Sequence, residues 1–421
     1  MAYKYMARLV DSTLQSKLAT MPAVLVRGPK WVGKTSTCEQ HAKSALLLRD
    51  PDVYTRSLDA LDAQPSLLLR GDKPRLIDEW QLAPVLWDAV ISDADKSKGE
   101  PGQFLLTGSA TPVNPAKLRH TGTGRIARID MSSMTLEETG ESTCEVSLAS
   151  LFEEGEIEGS SPIDVEGYAH VICRGGWPAT IARGDDTSTA SDYIDAICEA
   201  DITEAEGVNL DPDRTQALIR SLARNTAQGV SNVTLLNDVR NAGVGMSEPT
   251  LRIYLKALRR LFVLEEVKAW APTLRSKTPL RTSPVSHLCD PSIAAAALET
   301  DASGLLDDLQ TMGFLFESLC IHDLRVYART LGGDIYHYRD KSGLEADAIV
   351  RLKDGRWGAI EVKLGGKSRI DEGAGNLKRL AEKVDHKKTG APSFLLVLTG
   401  SSYAYTRPDG VHVVPLGCLA H

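Results

Sequence analysis

Residues Gly28 to Thr35 read GPKWVGKT and match the spacing G-x-x-x-x-G-K-[ST] without a mismatch. The chemistry of that spacing is phosphate binding. Gly28 and Gly33 permit a tight backbone turn, and successive N–H groups of the loop then face phosphate oxygens at the positive end of the following helix. Pro29, Lys30, Trp31 and Val32 complete the loop, and Ser36 continues into the helix. Lys34 is expected to meet the β- and γ-phosphates, and Thr35 to hold Mg2+.

A second constellation follows at Arg75 to Trp80, RLIDEW, where a short apolar run ends in two carboxylates. In a parallel sheet, ligands sit beyond the carboxyl ends of the strands, so Asp78 and Glu79 are expected beside the phosphates held by Lys34. Asp78 suits the Mg2+ partner and Glu79 the base that polarises an attacking water. The run QFLLT at 103 to 107 leads into Ser109, a polar side chain at the same expected edge, placed to orient the water or sense the γ-phosphate. Arg125 is the arginine assigned to transition-state charge, in its own site or in a neighbouring subunit's.

A third group lies more than two hundred residues downstream. Glu317 sits in a helical pattern, Asp347 in the strand EADAIV, and Glu361 and Lys363 in WGAIEVK, with the hairpin signal Asp354-Gly355 between the two strands. Alternation places Glu361 and Lys363 on one strand face, and Asp347 meets them across the hairpin. Two acids and a lysine so arranged suit metal-assisted phosphodiester hydrolysis, with Glu317 completing the set.

The elements that must position these groups alternate strand and helix around the phosphate loop, which predicts an α/β fold with a parallel sheet. The expected domains are a P-loop domain over 1–135, an acidic connecting segment over 136–190, a helical and winged-helix domain over 191–285, and a nuclease-like domain over 286–421. Between Thr135 and Glu166 there are ten acidic residues and no Lys or Arg, which reads as a solvated loop. Three helical stretches at 214–228, 233–241 and 248–262, followed by the strand-like 262–267, have the pattern of a winged helix-turn-helix. Its last helix carries Arg252, Lys256, Arg259 and Arg260, but also the apolar stripe Leu251, Tyr254, Leu255, Leu258 and Leu261. DNA binding and interdomain packing both fit it.

The 421 residues exceed the size of a single core, and the net charge of −8 argues against extended coating of nucleic acid, although 252–281 holds eight basic residues against two acidic ones. Seven scattered cysteines, never paired as C-x-x-C, argue against a disulfide framework or structural zinc. No apolar run is long enough to cross a bilayer and no secretory leader is evident, so a cytoplasmic location is the default expectation, with no membrane partner.

With these motifs in place, the chain resembles a family of prokaryotic AAA+-like ATPases that join a P-loop domain to a winged helix and a C-terminal PD-(D/E)xK nuclease-like domain. The resemblance runs through GPKWVGKTS (28–36), LIDEWQLAP (76–84), LLTGSA (105–110), Gly124-Arg125, GGWPA (175–179), FES (316–318), EADAIV (345–350) and IEVK (360–363). It implies ATP and Mg2+ as ligands, and Walker B, sensor and arginine roles for Asp78, Glu79, Ser109 and Arg125. The expected activity is ATP hydrolysis, with DNA or RNA as a candidate partner and a homo-oligomer as a candidate assembly. Two alternatives stay open: an ATP-gated metal-dependent nuclease, and a nucleotide-dependent interaction module of a defence or toxin system with an inactive nuclease fold.

Overall fold

The apolar run Ala23–Val26 is buried almost to the last atom, as a strand covered on both faces must be. In the computed structural model, which describes residues 4–108, 121–153, 155, 157–184, 187–202, 210–272 and 283–421, it is the second-from-edge strand of a five-stranded sheet. The strands are β1 (Ala23–Arg27), β2 (Ser44–Leu47), β3 (Arg75–Asp78), β4 (Phe104–Gly108) and β5 (Ile126–Asp130), in the order β2-β3-β4-β1-β5, every pair parallel. The chain returns across the sheet after each of β1, β2 and β3, through helices at Lys34–His41, Pro51–Ala63 and Val85–Lys96. All five carboxyl ends share one edge.

Local chemistry sets the helix limits. Asp50 caps the helix Pro51–Ala63 by accepting from Asp52 N and Val53 N, with proline at its first position. This helix ends before Pro65, which cannot continue it, and gives way to a 3-10 turn at Pro65–Leu69. Trp80 and Trp87 stack at 4.6 Å in the core on one side of this sheet, with Phe104, Val90 and Ile77.

A second compact unit comprises Met134–Cys198, Asp211–Leu255 and Leu264–His421. Its helical part includes Val165–Arg174, Pro212–Arg224 and Asn232–Asn241. The helix Glu248–Arg260 belongs to it as far as Leu255, its residues from Lys256 counting with the first unit, and the antiparallel pair β8 (Leu264–Val267) and β9 (Val285–Leu288) belongs to the second. The apolar stripe of the last helix is buried at Leu251, Tyr254, Leu255, Leu258 and Leu261. Beyond it lies a mixed sheet of β10 (Asp334–Arg339), β11 (Glu345–Arg351), β12 (Trp357–Lys363), β13 (Phe394–Thr399), β14 (Tyr403–Thr406) and β15 (His412–Pro415). Strands β10 to β12 are antiparallel, whereas β12, β13 and β15 run parallel. Ile370, Ala374, Leu377 and Leu380 of the helix Lys367–Lys383 share its core with Trp357, whose ring lies 4.5 Å from that of Trp270.

The stretch 136–190, expected as an acidic connector, is instead folded into this unit. Strand β6 (Val146–Ser147) pairs with β16 (Leu419–Ala420), and β7 (Gly159–Ser160) extends the mixed sheet beside β14. Its acids have partners that a local count of bases does not reveal. Glu138 closes a capping box with Thr135, Glu141 receives both terminal nitrogens of Arg174 at 2.8 and 2.6 Å, and Glu145 accepts from Ser160 N at 2.6 Å. Between them Leu136, Val146, Leu148 and Leu151 point inward.

The GGWP turn holds this arrangement: Met134 N donates to Gly176 O at 2.6 Å, Gly176 N to Asp290 Oδ2 at 3.0 Å, and Trp177 Nε1 to Ser292 Oγ at 3.0 Å. A Cβ at Gly176 would stand 2.1 Å from Met134 O, backbone that has no room to withdraw. Gly176→Ala is expected to destabilise the protein by about 2 kcal/mol or more, read as a lowered Tm; an unchanged Tm would contradict the packing described.

Candidate functional site

The phosphate-loop residues sit where β1 gives way to the helix Lys34–His41. Gly33 is that helix's N-cap, at φ 94°, and Gly28 lies at φ 153° with its Cα so close to Met131 that an added Cβ would be 2.1 Å from Met131 O. Both positions require glycine. Lys34 is 5% exposed and donates from Nζ to Gly28 O at 3.0 Å and Pro29 O at 2.5 Å, so its ammonium lies across the loop's own carbonyls. Burial pushes it down to about 8, against the upward pull of Glu79 and Asp78. Lys30 pairs with Asp201 at 2.6 Å, Trp31 is 45% exposed, and Ser36 is on the helix's outer face.

Asp78 ends β3 with no exposed surface. Its Oδ1 accepts from Thr35 Oγ1 and from Thr107 Oγ1, each at 2.7 Å. Its Oδ2 has no hydrogen bond of good geometry and lies 3.3 Å from Arg49 Nε. Glu79 follows in the left-handed region (φ 51°, ψ 51°), with its N–H donated to Thr107 Oγ1 at 3.0 Å and its carboxylate accepting from Gln81 Nε2. A glutamate held there is strained, which is common at functional positions. Thus Lys34, Thr35, Asp78 and Glu79 meet at one sheet edge. The set fits a Mg-nucleotide: the loop is a cradle closed to any Cβ at Gly28, and a buried carboxylate oxygen without a hydrogen bond stands beside the Thr35 hydroxyl.

Two expected members are not gathered there. Ser109 lies outside the described residues. Arg125 is at the opposite edge of the sheet, where its carbonyl accepts from Ala23 N, the first residue of β1, at 3.1 Å. At roughly 3.3 Å of rise per residue, the length of β1 separates it from the phosphate loop by about 15 Å. Its guanidinium pairs with Asp95 at 2.8 Å, both side chains about half exposed. A role in its own chain's site is therefore corrected: the arginine follows Gly124 into the amino end of β5, the wrong end of a parallel strand.

Three contributors were not foreseen. Buried Arg8 donates to Val32 O at 2.7 Å, Ser132 O at 2.8 Å and Ser133 O at 3.2 Å, bracing the loop against the end of β5. Thr107 braces Asp78 and Glu79 together. Arg49 reaches Asp78 from the end of β2. Only Thr107 had a signal, as a hydroxyl closing the apolar run of β4.

In the second unit, Glu361, Lys363 and Asp347 meet as the hairpin pairing requires. Lys363 Nζ is 2.6 Å from Glu361 Oε2, and Asp347 Oδ2 accepts from Val362 N at 2.7 Å. Glu361 is 1% exposed, with Oε1 lacking a hydrogen bond of good geometry. Burial, then Asp347, push the Glu361 carboxyl up to about 8, and the same two causes raise Glu317 well above the carboxylate range. Burial raises Asp347 as well, and it opposes the charge on Lys363, yet Asp347 and Glu361 hold that ammonium above the ordinary lysine value. Glu317, on the helix Leu309–Thr330, thus feels the other three charges. Among the described residues no group of three or more His, Cys, Asp or Glu side chains is arranged to hold a metal ion.

Fold and site together define an AAA domain of the P-loop ATPase type in the N-terminal part. Residues 20–140 match the family model described as an AAA domain, whereas 165–304 and 312–419 match two domains of unknown function, DUF8612 and DUF4143. The uncharacterized protein Rv2008c of Mycobacterium tuberculosis and Mb2031c of Mycobacterium bovis are each 25% identical over 358 residues, covering 83% of this chain and 72% of theirs. Among solved structures, the Walker-type ATPase PABY2304 of Pyrococcus abyssi aligns over 70% of this chain and 96% of its own, at 12% identity and a TM-score of 0.42. The replication initiator DnaA bound to AMPPCP and single-stranded DNA aligns over 61% and 90%, at 11% identity and a TM-score of 0.28. The winged-helix and nuclease-like expectations reduce here to a helical middle region and a C-terminal mixed sheet. Among the described residues no helix is long and apolar enough to cross a membrane.

Two pH dependences follow. Phosphate pairs with the charged form of Lys34, so above about 8 binding must take up a proton. Nucleotide affinity is expected to fall by about tenfold from pH 7 to pH 9, with Lys34→Arg flattening the profile; a titration that is pH-independent in the parent would contradict the burial of Lys34. For Glu361 the raised pKa has the opposite sense: the folded state retains a proton that the unfolded state has released. Stability is greatest below the unfolded carboxyl value and is lost as pH rises towards about 8. Thermal melts should show the parent losing Tm between pH 5 and pH 8 and Glu361→Gln losing less.

Proposed function

We propose that the protein is a Mg-dependent ATPase, hydrolysing ATP at Lys34, Thr35, Asp78 and Glu79. The observation that carries this reading is the buried Asp78 carboxylate, joined at 2.7 Å to the hydroxyl of the phosphate-loop threonine. The loop's N–H groups and Lys34 bind and orient the phosphates. Mg2+, when bound, would neutralise phosphate charge, with Thr35 and Asp78 as the residues that would hold it. Glu79 takes the proton of the attacking water, its backbone fixed by Thr107 and its carboxylate aimed by Gln81. Ser109 as sensor and Arg125 acting on a neighbouring subunit's phosphates in a homo-oligomer extend this proposal. Hydrolysis would act on the C-terminal part, with DNA or RNA as its partner and the basic residues of Glu248–Arg260 as the local footprint, in the cytoplasm.

A second reading, an ATP-gated metal-dependent nuclease, draws on Glu361 Oε1, a buried carboxylate oxygen without a hydrogen bond in a group that includes Asp347, Glu317 and Lys363. Its metal would have to open the Lys363–Glu361 contact. It expects Asp347→Ala to abolish cleavage of nucleic acid while ATP turnover persists.

Lys34→Ala is expected to abolish ATP turnover and nucleotide binding together. Glu79→Gln should keep binding and lower kcat by about a hundredfold or more. Turnover at the parental rate in either purified variant would reject the assigned site.

A further inference from the structure

Arg49 is fixed in backbone, and its side chain is largely exposed. Leu48 before it is buried, and Asp50 after it caps the next helix and donates its own N–H to Leu47 O at 3.1 Å. Leu47 stands in register with Asp78 on β3, so the stem of Arg49 leaves the sheet at the carboxyl edge one strand away from the acid. Its side chain is nevertheless 59% exposed, while Asp78 is fully covered. Both hydroxyls donate to Asp78 Oδ1, which leaves Oδ2 buried without a hydrogen bond, and Arg49 Nε stands 3.3 Å from it.

A cation in that position cannot share Asp78 Oδ2 with a divalent ion, because like charges at such distances repel strongly. The guanidinium has a long, solvent-exposed arm and is suited to phosphate oxygens. Resting on the nucleotide reading above, we infer that Arg49 is a specificity-determining residue of this site. It pairs with Asp78 and turns to the terminal phosphate of a nucleoside triphosphate when Mg-nucleotide binds. It supplies from the same chain the arginine that Arg125 cannot. A diphosphate lacks the group that Arg49 would pair with, so Arg49 sets the preference for triphosphate over diphosphate.

The test compares the 421-residue parent with Arg49→Met, which keeps the stem and removes the charge, and with Arg49→Lys. ATP and ADP dissociation constants are measured with Mg2+ by displacement of a fluorescent nucleotide, and the Tm of the nucleotide-free proteins is recorded. Arg49→Met should lose about tenfold in ATP affinity and less than about twofold in ADP affinity, with Arg49→Lys intermediate and the Tm of nucleotide-free Arg49→Met lowered by the loss of a counter-ion from Asp78. Equal losses for ATP and ADP, or no loss in either, would overturn the inference and leave Arg49 a local counter-ion; a lowered Tm with an unchanged ATP/ADP ratio does the same. Should the parent bind neither nucleotide, the reading of the phosphate loop itself fails, an outcome distinct from a parent that binds both and a variant that is unaltered.

Discussion

The N-terminal unit depends on the burial of one negative charge. Asp78 has no exposed surface, and an uncompensated carboxylate so placed would be costly enough to protonate or unfold its surroundings. Its compensation comes from three elements: Thr35 from the phosphate loop's helix, Thr107 from β4 and Arg49 from the end of β2. Each reaches it only if the strands lie in the order β2-β3-β4-β1, with all carboxyl ends together. The topology that brings ligand-binding groups to one edge is therefore also the topology that makes the buried acid tolerable, and neither survives without the other.

The phosphate loop shows the same economy of groups. A loop meant to enclose polyphosphate must hold its N–H groups inward when no phosphate is present, and here its outer side is braced. Arg8 binds the Val32 carbonyl, Lys30 is paired with Asp201, and Gly28 lies against the Met131 carbonyl. Lys34 meanwhile turns to the loop's own carbonyls, which satisfies its donors but leaves its charge poorly solvated. Phosphate would replace a weak set of partners with a strong one, so the geometry is arranged around a differential gain on binding.

What was legible in the sequence is what local pattern encodes. The strand in RLIDEW, read as ending in both carboxylates, ends one residue earlier at Asp78, because an apolar run closed by carboxylates has few other readings, and alternation along β12 puts Glu361 and Lys363 on one face. The acidic stretch failed for the complementary reason. Its partners, Arg174, Ser160 and His421, lie from about fifteen to nearly three hundred positions away, so counting charges within a window made a paired segment look solvated. Arg125 failed because a Gly-Arg pair next to a strand does not disclose which end of the strand it joins. Arg8 and Arg49 have no motif at all; only the strand order brings them to the site.

The two charged clusters differ in a way that bears on what each can do. Asp78 is neutralised by an exposed arginine across a single long contact, an arrangement that an incoming cation can replace with little disturbance of the core. Glu361 is neutralised by Lys363 of its own strand at 2.6 Å, its other oxygen is buried, and its pKa lies far above that of an ordinary carboxyl. A divalent ion entering there would have to displace a proton or a lysine and reorganise packed backbone around Val362, whose N–H already belongs to Asp347. An ATP-dependent metal site in the C-terminal unit would therefore need a conformational opening that the N-terminal site does not.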